Sequence, residues 1–208
     1  MHPRRSLTAR PDPAGQPAEM RIDVRGAGPP LILIHGWAMH AGLFGALLDR
    51  LAEQRTLHLV DLPGHGRSRD DASLLELESV VAAIAAQTPP APWLGWSLGG
   101  LFALHAAATR PAHANALIML CSTPCFVRAD DWPQGMDVEV FRKFEADLRA
   151  NIHATIERFL ALETLGCERA VAGLRTLRAQ AFAYGEPAAN ALADGLHRVE
   201  TTGLRAAL

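Results

Sequence analysis

Apolar residues in the first 125 positions gather into short runs that are separated by longer amphipathic stretches. Such runs are typical of strands that are buried on both faces of a parallel sheet. They lie at residues 31–34, 56–60, 93–95 and 116–120, and a further strand is predicted at the sheet edge over 20–25. Helical spacing predicts helices over 43–53, over 74–87 with Ser73 as N-cap, and over 98–109. The alternation predicts an α/β fold with a doubly wound, mostly parallel sheet.

The pattern changes after Ser122, where amphipathic helices follow one another without an intervening strand. They are predicted over residues 137–150, 152–165, 168–183 and 187–201. We interpret this run as a helical lid at 126–205 above a core at 20–125. Residues 1–19 combine prolines with small and polar residues and lack the apolar segment of a signal peptide, so we expect a disordered leader.

The composition argues against several classes of partner. The chain has 208 residues, of which 49% are hydrophobic, and its net charge is −2. That length supports one sizeable core, and the charge gives no basic field for nucleic acid or an anionic membrane. No stretch approaches the roughly 20 apolar residues of a membrane span. The three cysteines fit no metal-binding spacing, so we expect a cytoplasmic protein with reduced thiols, no metal and no cofactor.

A glycine-flanked serine carries the clearest chemical signal. Residues 95–99 read Gly-Trp-Ser-Leu-Gly and stand between a predicted strand and a predicted helix. This is the context of a nucleophile elbow, a tight turn that raises a serine hydroxyl above the sheet. The start of the following helix presents free amides, which favour developing negative charge. We therefore predict Ser97 as a catalytic nucleophile.

Two loops that follow strands complete the predicted site. His35-Gly36-Trp37 comes directly after the run 31–34, and we expect the backbone N–H groups of Trp37 and Leu98 to form an oxyanion hole. For His35 we expect a structural role with its ring bonded to loop carbonyls, and for the Trp37 indole a place in the pocket wall. The loop 61–68, Asp-Leu-Pro-Gly-His-Gly-Arg-Ser, is predicted to be scaffolding beside the site.

These motifs resemble the α/β-hydrolase superfamily. Four segments are similar more specifically to the pimeloyl-[acyl-carrier protein] methyl ester esterase family of biotin synthesis, and the resemblance covers about residues 20–205. The segments are residues 58–64, 93–101, 122–126 and 157–162. The resemblance implies a serine carboxylic ester hydrolase that acts on the methyl ester of pimeloyl-acyl carrier protein. It also implies an acidic carrier protein as partner, and a monomer for the full-length protein.

The resemblance assigns substrate contacts to Trp37, Ser97 and Leu98, and to five lid residues that line the acyl channel. These five are Ile152, His153, Ala154, Thr155 and Ile156. Ile152 is aliphatic where the family is expected to carry an aromatic residue. Between residues 141 and 180, seven basic residues stand against five acidic ones. This excess could help steer an acidic partner, but on charge alone an ordinary solvated helix face is the preferred explanation.

The resemblance further implies a triad acid and a triad histidine on strands that follow the lid, and neither is found before Leu208. We therefore expect the C-terminal part of the hydrolase to be absent from this truncated copy, with the strand 116–120 left as an exposed apolar edge. A serine hydroxyl needs a general base, and the candidates after Ser97 are poorly placed for that role. They are His105, His113 and His153, and Asp194 with His197, which we expect to form a surface pair.

Other functions stay open at this point. A generic esterase or lactonase is the nearest competitor, because the elbow and oxyanion motifs do not distinguish substrates. The second is a non-catalytic scaffold that binds an acyl chain or a carrier protein. A haloalkane dehalogenase is disfavoured because Ser97 occupies the position where that chemistry needs a carboxylate.

Overall fold

A single mixed sheet organises the chain. The computed structural model describes residues 19–164 and 170–207. Its five strands lie in the order β1-β3-β2-β4-β5, with β1 antiparallel to β3 and all other neighbours parallel. The strands are β1 Ile22–Gly26, β2 Pro30–Ile34, β3 Thr56–Val60, β4 Ala91–Trp96 and β5 Ala114–Leu120. The prediction of a doubly wound, mostly parallel sheet is confirmed.

Seven α-helices accompany the sheet in the described part of the chain, and their order follows the predicted alternation. They are α1 Ala46–Ala52, α2 Leu77–Gln87, α3 Leu98–Thr109, α4 Val138–Ala150, α5 Ile152–Glu163, α6 Ala170–Ala181 and α7 Ala189–Thr201. α1 packs against one face of the sheet, whereas α3 and the helices after β5 share a larger apolar core on the other face. The sheet is therefore covered on both sides, as its continuous apolar strands require.

Two helix starts differ from the prediction. The helix expected over 43–53 is divided into a 3-10 turn, Ala41–Phe44, and α1, because Gly45 between them has φ 56°. Ser73 is not the N-cap of α2, which begins three residues later than expected with Glu76 at that position. The Ser73 amide donates to Asp71 instead. This local bond and a tertiary one, from the Leu75 amide to the Asp194 carboxylate at 2.6 Å, hold the segment outside the helix against its apolar spacing.

The last strand forms an open edge of the sheet. Within the described residues β5 pairs with β4 alone. Its side chains are more exposed than those of the inner strands, with 45% of Ile118 and 38% of Leu120 accessible to solvent. The predicted apolar edge is therefore present, and an edge of this kind is a hazard for association between copies.

The domain boundaries stay predictions. Residues 1–18, most of the expected leader, and residues 165–169 of the expected lid lie outside the described residues. Among the described residues, no helix is both long enough and apolar enough to cross a membrane.

Candidate active site

Ser97 occupies a strained turn between β4 and α3. Its backbone has φ 52° and ψ −117°, a conformation that L-residues rarely adopt and that costs of the order of 1–3 kcal/mol. Two backbone hydrogen bonds hold the turn, from the Ser97 amide to the Leu120 carbonyl (2.9 Å) and from the Gly100 amide to the Ser97 carbonyl (2.9 Å). A Cβ atom on Gly95 would lie 2.5 Å from the Gly100 Cα, so the strand can approach the helix only with glycine at this position. The geometry is that of a nucleophile elbow.

A second serine stabilises the same turn. The Ser122 hydroxyl, just after β5, donates to the Ser97 carbonyl oxygen at 2.7 Å. This bond ties the elbow to the neighbouring strand end. The sequence analysis assigned no role to Ser122. Its position directly after a strand that neighbours the elbow strand could have indicated one.

The loop after β2 lies directly against the nucleophile. A Cβ atom built on Gly36 would lie 3.3 Å from the Ser97 Cβ and 3.9 Å from its Oγ. The next peptide carries the Trp37 amide, one of the two predicted oxyanion donors. Leu98, the other, is the first residue of α3, so its N–H has no acceptor within the helix. The structure therefore brings Trp37 and Leu98 to Ser97, and their role in binding an oxyanion stays a prediction.

The Trp37 side chain joins this loop to the helices that follow β5. It is 4% exposed, and its indole N–H donates to the Leu192 carbonyl in α7 at 2.8 Å. The ring meets Phe159 of α5 and Phe144 of α4 edge to face, with centroids 5.1 and 6.3 Å apart. These contacts form an apolar wall beside the elbow. Phe144 and Phe159 were not selected from the sequence, where they read as core positions of amphipathic helices.

His35 is held as a neutral ring under the same loop. Its Nδ1 donates to the Gly36 carbonyl at 2.7 Å, and its Nε2 accepts from the Leu62 amide at 2.9 Å. Complete burial lowers the pKa of His35 to about 3, because the charged form loses its hydration. The neighbouring His65 is equally buried, and burial together with the nearby His35 lowers its pKa to about 3. Neither ring contacts Ser97 through a hydrogen bond within the described residues, and both are structural.

Asp61 shows the same scaffolding character. The carboxylate is 1% exposed and accepts from the Ala41 amide at 2.7 Å and from the Arg67 amide at 3.0 Å. It therefore fastens the loop after β3 to the loop after β2. Asp61 and His65 serve the shape of the site, as the sequence indicated.

The predicted lid contacts divide between the two faces of α5. Thr155 and Ile156 are buried, and Ile152 packs partly buried against the main core. His153 and Ala154 are exposed. No hydrogen bond joins any of these five residues to Ser97 in the part of the chain that the structure describes. Their role in substrate binding stays a prediction.

His153 has other partners. Its Nδ1 lies 2.7 Å from a carboxylate oxygen of Glu186, and its ring stacks on Phe182 with centroids 4.9 Å apart. It therefore connects the start of α5 to the loop after α6.

The remaining base candidates are engaged away from the elbow. Asp194 accepts from the Leu75 amide at 2.6 Å and pairs with Arg198 at 3.3 Å, while His197 is exposed on the outside of α7. The described residues therefore show no Asp194–His197 pair, since the aspartate bonds to the segment before α2 and to Arg198 instead.

Two further histidines lie in α3 and in the loop after it, and both have other partners. His105 contacts Glu78 at 3.1 Å, and His113 contacts Thr88 at 3.2 Å. Among residues 19–164 and 170–207, no imidazole or carboxylate is hydrogen-bonded to the Ser97 hydroxyl.

Comparison with known proteins places this geometry in a family. Residues 29–188 match the family defined by the alpha/beta hydrolase fold. The chain belongs to the α/β-hydrolase family. It is 58% identical over 189 residues to the pimeloyl-[acyl-carrier protein] methyl ester esterase of Xanthomonas campestris, covering 91% of this chain and 74% of that protein. The esterase of the same name from Stenotrophomonas maltophilia is 55% identical, with 91% and 73% covered.

Solved structures agree on the fold. An esterase from Exiguobacterium antarcticum superposes with a TM-score of 0.79 at 20% identity, covering 91% of this chain and 72% of that one. An enol-lactonase from Burkholderia xenovorans gives a TM-score of 0.72 at 15% identity, with 90% and 72% covered. At such identities the likeness concerns the architecture alone.

Proposed function

We propose that this chain is a serine carboxylesterase that hydrolyses the methyl ester of pimeloyl-acyl carrier protein in biotin biosynthesis. The observation that supports ester hydrolysis by a serine nucleophile is the strained Ser97 at the strand-to-helix turn, with the Gly36–Trp37 loop against it. The identity of 58% to esterases named for this substrate supports the substrate class. The proposal places this chemistry in the cytoplasm and assigns it no metal.

The proposed reaction uses the atoms around the elbow. The Ser97 Oγ attacks the carbonyl carbon of the methyl ester, and its proton passes to a general base. The carbonyl oxygen becomes an oxyanion that accepts hydrogen bonds from the Trp37 and Leu98 amides. The protonated base returns the proton to the methoxy oxygen, and methanol leaves as the tetrahedral intermediate collapses to an acyl-serine. Water then hydrolyses the acyl-serine and frees the carboxylic acid. We assign the base to none of the described histidines, because none of them is hydrogen-bonded to the Ser97 hydroxyl.

An apolar wall suits the proposed acyl chain. Trp37, Phe144 and Phe159 pack edge to face beside the elbow, and Ile156 is fully buried nearby in the same core. A wall of this kind favours the methylene groups of a dicarboxylic monoester over polar chains. We propose that the predicted channel residues Ile152, Thr155 and Ile156 extend it.

The proposal includes binding of an acidic acyl carrier protein. The basic side chains that the sequence offered for steering are mostly paired on the helices themselves, for example Arg149 with Glu145 at 2.6 Å and Arg178 with Glu157 at 2.9 Å. Such exposed pairs are worth little and leave a mixed surface. Arg169, also counted among them, lies outside the described residues. Because most of these cations are already paired, we expect carrier-protein binding to involve only a few unpaired cations and to depend weakly on ionic strength.

The direct test is turnover of methyl pimeloyl-acyl carrier protein, followed by the mass of the carrier protein. We expect the chain to remove the methyl group, and Ser97→Ala to lower the rate at least about 1,000-fold. Ser79→Ala, which alters an exposed serine on α2, is the matched control. Faster turnover of short p-nitrophenyl esters with no action on the carrier-protein ester would favour a generic esterase.

One observation favours a second candidate. Because no described base is bonded to Ser97, a scaffold that binds the acylated carrier protein without cleaving it is the competing function. A folded chain that binds methyl pimeloyl-acyl carrier protein but leaves its methyl group in place would establish the scaffold and exclude the esterase.

A further inference from the structure

The peptide between Gly36 and Trp37 is held by two donors on its carbonyl oxygen. The Gly36 oxygen accepts from the His35 Nδ1 at 2.7 Å and from the Met39 amide at 3.3 Å. The peptide is trans, so its C=O and N–H bonds point in opposite directions. Whatever fixes the Gly36 oxygen therefore also fixes the direction of the Trp37 N–H.

The second nitrogen of His35 anchors the ring to a different loop. Its Nε2 accepts from the Leu62 amide at 2.9 Å, just after β3. Because an amide N–H can only donate and a carbonyl can only accept, these two bonds require one neutral tautomer with the proton on Nδ1. The ring is 0% exposed, so water does not compete for either bond. His35 is thus a rigid spacer between two loops.

The held peptide also lies beside the nucleophile. Gly36 approaches Ser97 so closely that a Cβ atom on it would contact the Ser97 Cβ at 3.3 Å. A rotation of this peptide would turn the Trp37 N–H away from an ester carbonyl bound at Ser97.

We infer that His35 is a positioning residue for the oxyanion hole: by donating to the Gly36 oxygen it sets the direction of the Trp37 N–H. The inference rests on the proposed function in one respect, namely that Trp37 donates to the oxyanion of an ester. His35 takes no proton from Ser97 and touches no substrate.

Two matched amide variants separate the two bonds of the ring. In His35→Asn the side-chain amide stands where Nδ1 stands, so it can still donate to the Gly36 oxygen but loses the bond to Leu62. In His35→Gln the amide reaches the position of Nε2, so it can accept from Leu62 but leaves the Gly36 oxygen without this donor. Both variants introduce a buried amide in place of an imidazole, so the general cost of the substitution is shared. His65→Asn, in the adjacent buried ring that bonds to Pro63, is the control.

The first readout is the split between kcat and KM on a p-nitrophenyl ester. We expect His35→Gln to lower kcat about 10- to 100-fold with KM changed less than about threefold, since the lost donor acts on the transition state. His35→Asn and His65→Asn should keep kcat within about threefold. Equal kcat for the Asn and Gln variants, or an effect confined to KM, would overturn the inference.

The second readout does not require activity. The 1H–15N residual dipolar coupling of the Trp37 amide reports the direction of that bond in the folded chain. We expect the coupling to change in His35→Gln and to be retained in His35→Asn. A chain without turnover but with this contrast would refute the proposed function and support the positioning role, whereas an unchanged coupling in both variants would refute the positioning role whatever the activity.

Discussion

Acidification from pH 7 to pH 5 should weaken the fold through two buried imidazoles. His35 and His65 are both 0% exposed, and burial lowers the pKa of each from 6.5 to about 3. Between pH 6.5 and about pH 3 the two imidazoles are protonated in the unfolded chain but remain neutral in the folded chain. The contribution of these two neutral rings to the free energy of unfolding is therefore complete above pH 6.5 and is lost progressively as the pH falls toward 3.

The size of the loss in unfolding free energy follows from how far the pH lies below 6.5. Each pH unit below 6.5 costs about 1.4 kcal/mol per histidine while the folded ring stays neutral. At pH 5 this amounts to about 2 kcal/mol for one ring and about 4 kcal/mol for the pair. A domain with a total stability of about 5–15 kcal/mol loses a large part of it. Most carboxylates have pKa values near 4 and remain ionised above pH 5, so histidines dominate this interval.

Urea unfolding between pH 7.5 and pH 5, followed by tryptophan fluorescence, measures this loss directly. We expect the free energy of unfolding to fall by about 4 kcal/mol, and by about 2 kcal/mol in His65→Asn, which removes one of the two titrating rings. His197→Asn removes an exposed imidazole and corrects for the mere deletion of a histidine. A fall of less than about 1 kcal/mol, or an unaltered slope in His65→Asn, would refute the reasoning.

Three further substitutions test the local structure. Gly95→Ala should destabilise the fold by at least about 3 kcal/mol in urea unfolding, because the added Cβ would meet the backbone of α3 at Gly100; a stability within about 1 kcal/mol would contradict the tight elbow. Cys121→Gly should stabilise the chain by about 0.5 kcal/mol, since residue 121 has φ 46°, and Cys121→Ala, which keeps the Cβ, should give no gain. Ile118→Lys at the exposed edge of β5 should raise the concentration at which light scattering detects association, whereas Leu74→Lys, an exposed leucine away from the edge, should not.

Much of the fold could be predicted because the inner strands are buried on both faces. β3 and α3 begin and end where the apolar runs do: Arg55 and Asp61 flank β3, and α3 lies between the elbow residue Ser97 and Arg110-Pro111. The start of α2 could not be predicted from local spacing. Its first expected turn is held open by a hydrogen bond from Leu75 to Asp194, which is 119 residues away in the chain. Contacts between residues so far apart in the chain do not affect the local spacing of apolar residues, so the sequence pattern does not show them.

The candidate site also has a part that could be predicted from the sequence and a part that could not. Ser97, Trp37 and Leu98 follow from short motifs whose backbone geometry is local, and the structure brings them together. The hydrogen bonds that hold them come from residues distant in sequence, such as Ser122 and Leu192, and could not be read from the motifs. Within the segment 152–156, residues 153 and 154 are exposed and residues 155 and 156 are buried, because α5 presents one face to the core. A linear motif does not show which face that is.

The most direct test of the central claim is to capture the acyl-serine. The chain is mixed with p-nitrophenyl butyrate and quenched with acid. It is then digested, and the modified peptide is identified by tandem mass spectrometry. The account predicts a butyryl group on Ser97 and none in Ser97→Ala. A folded chain that carries no acyl group on Ser97 under these conditions would contradict it.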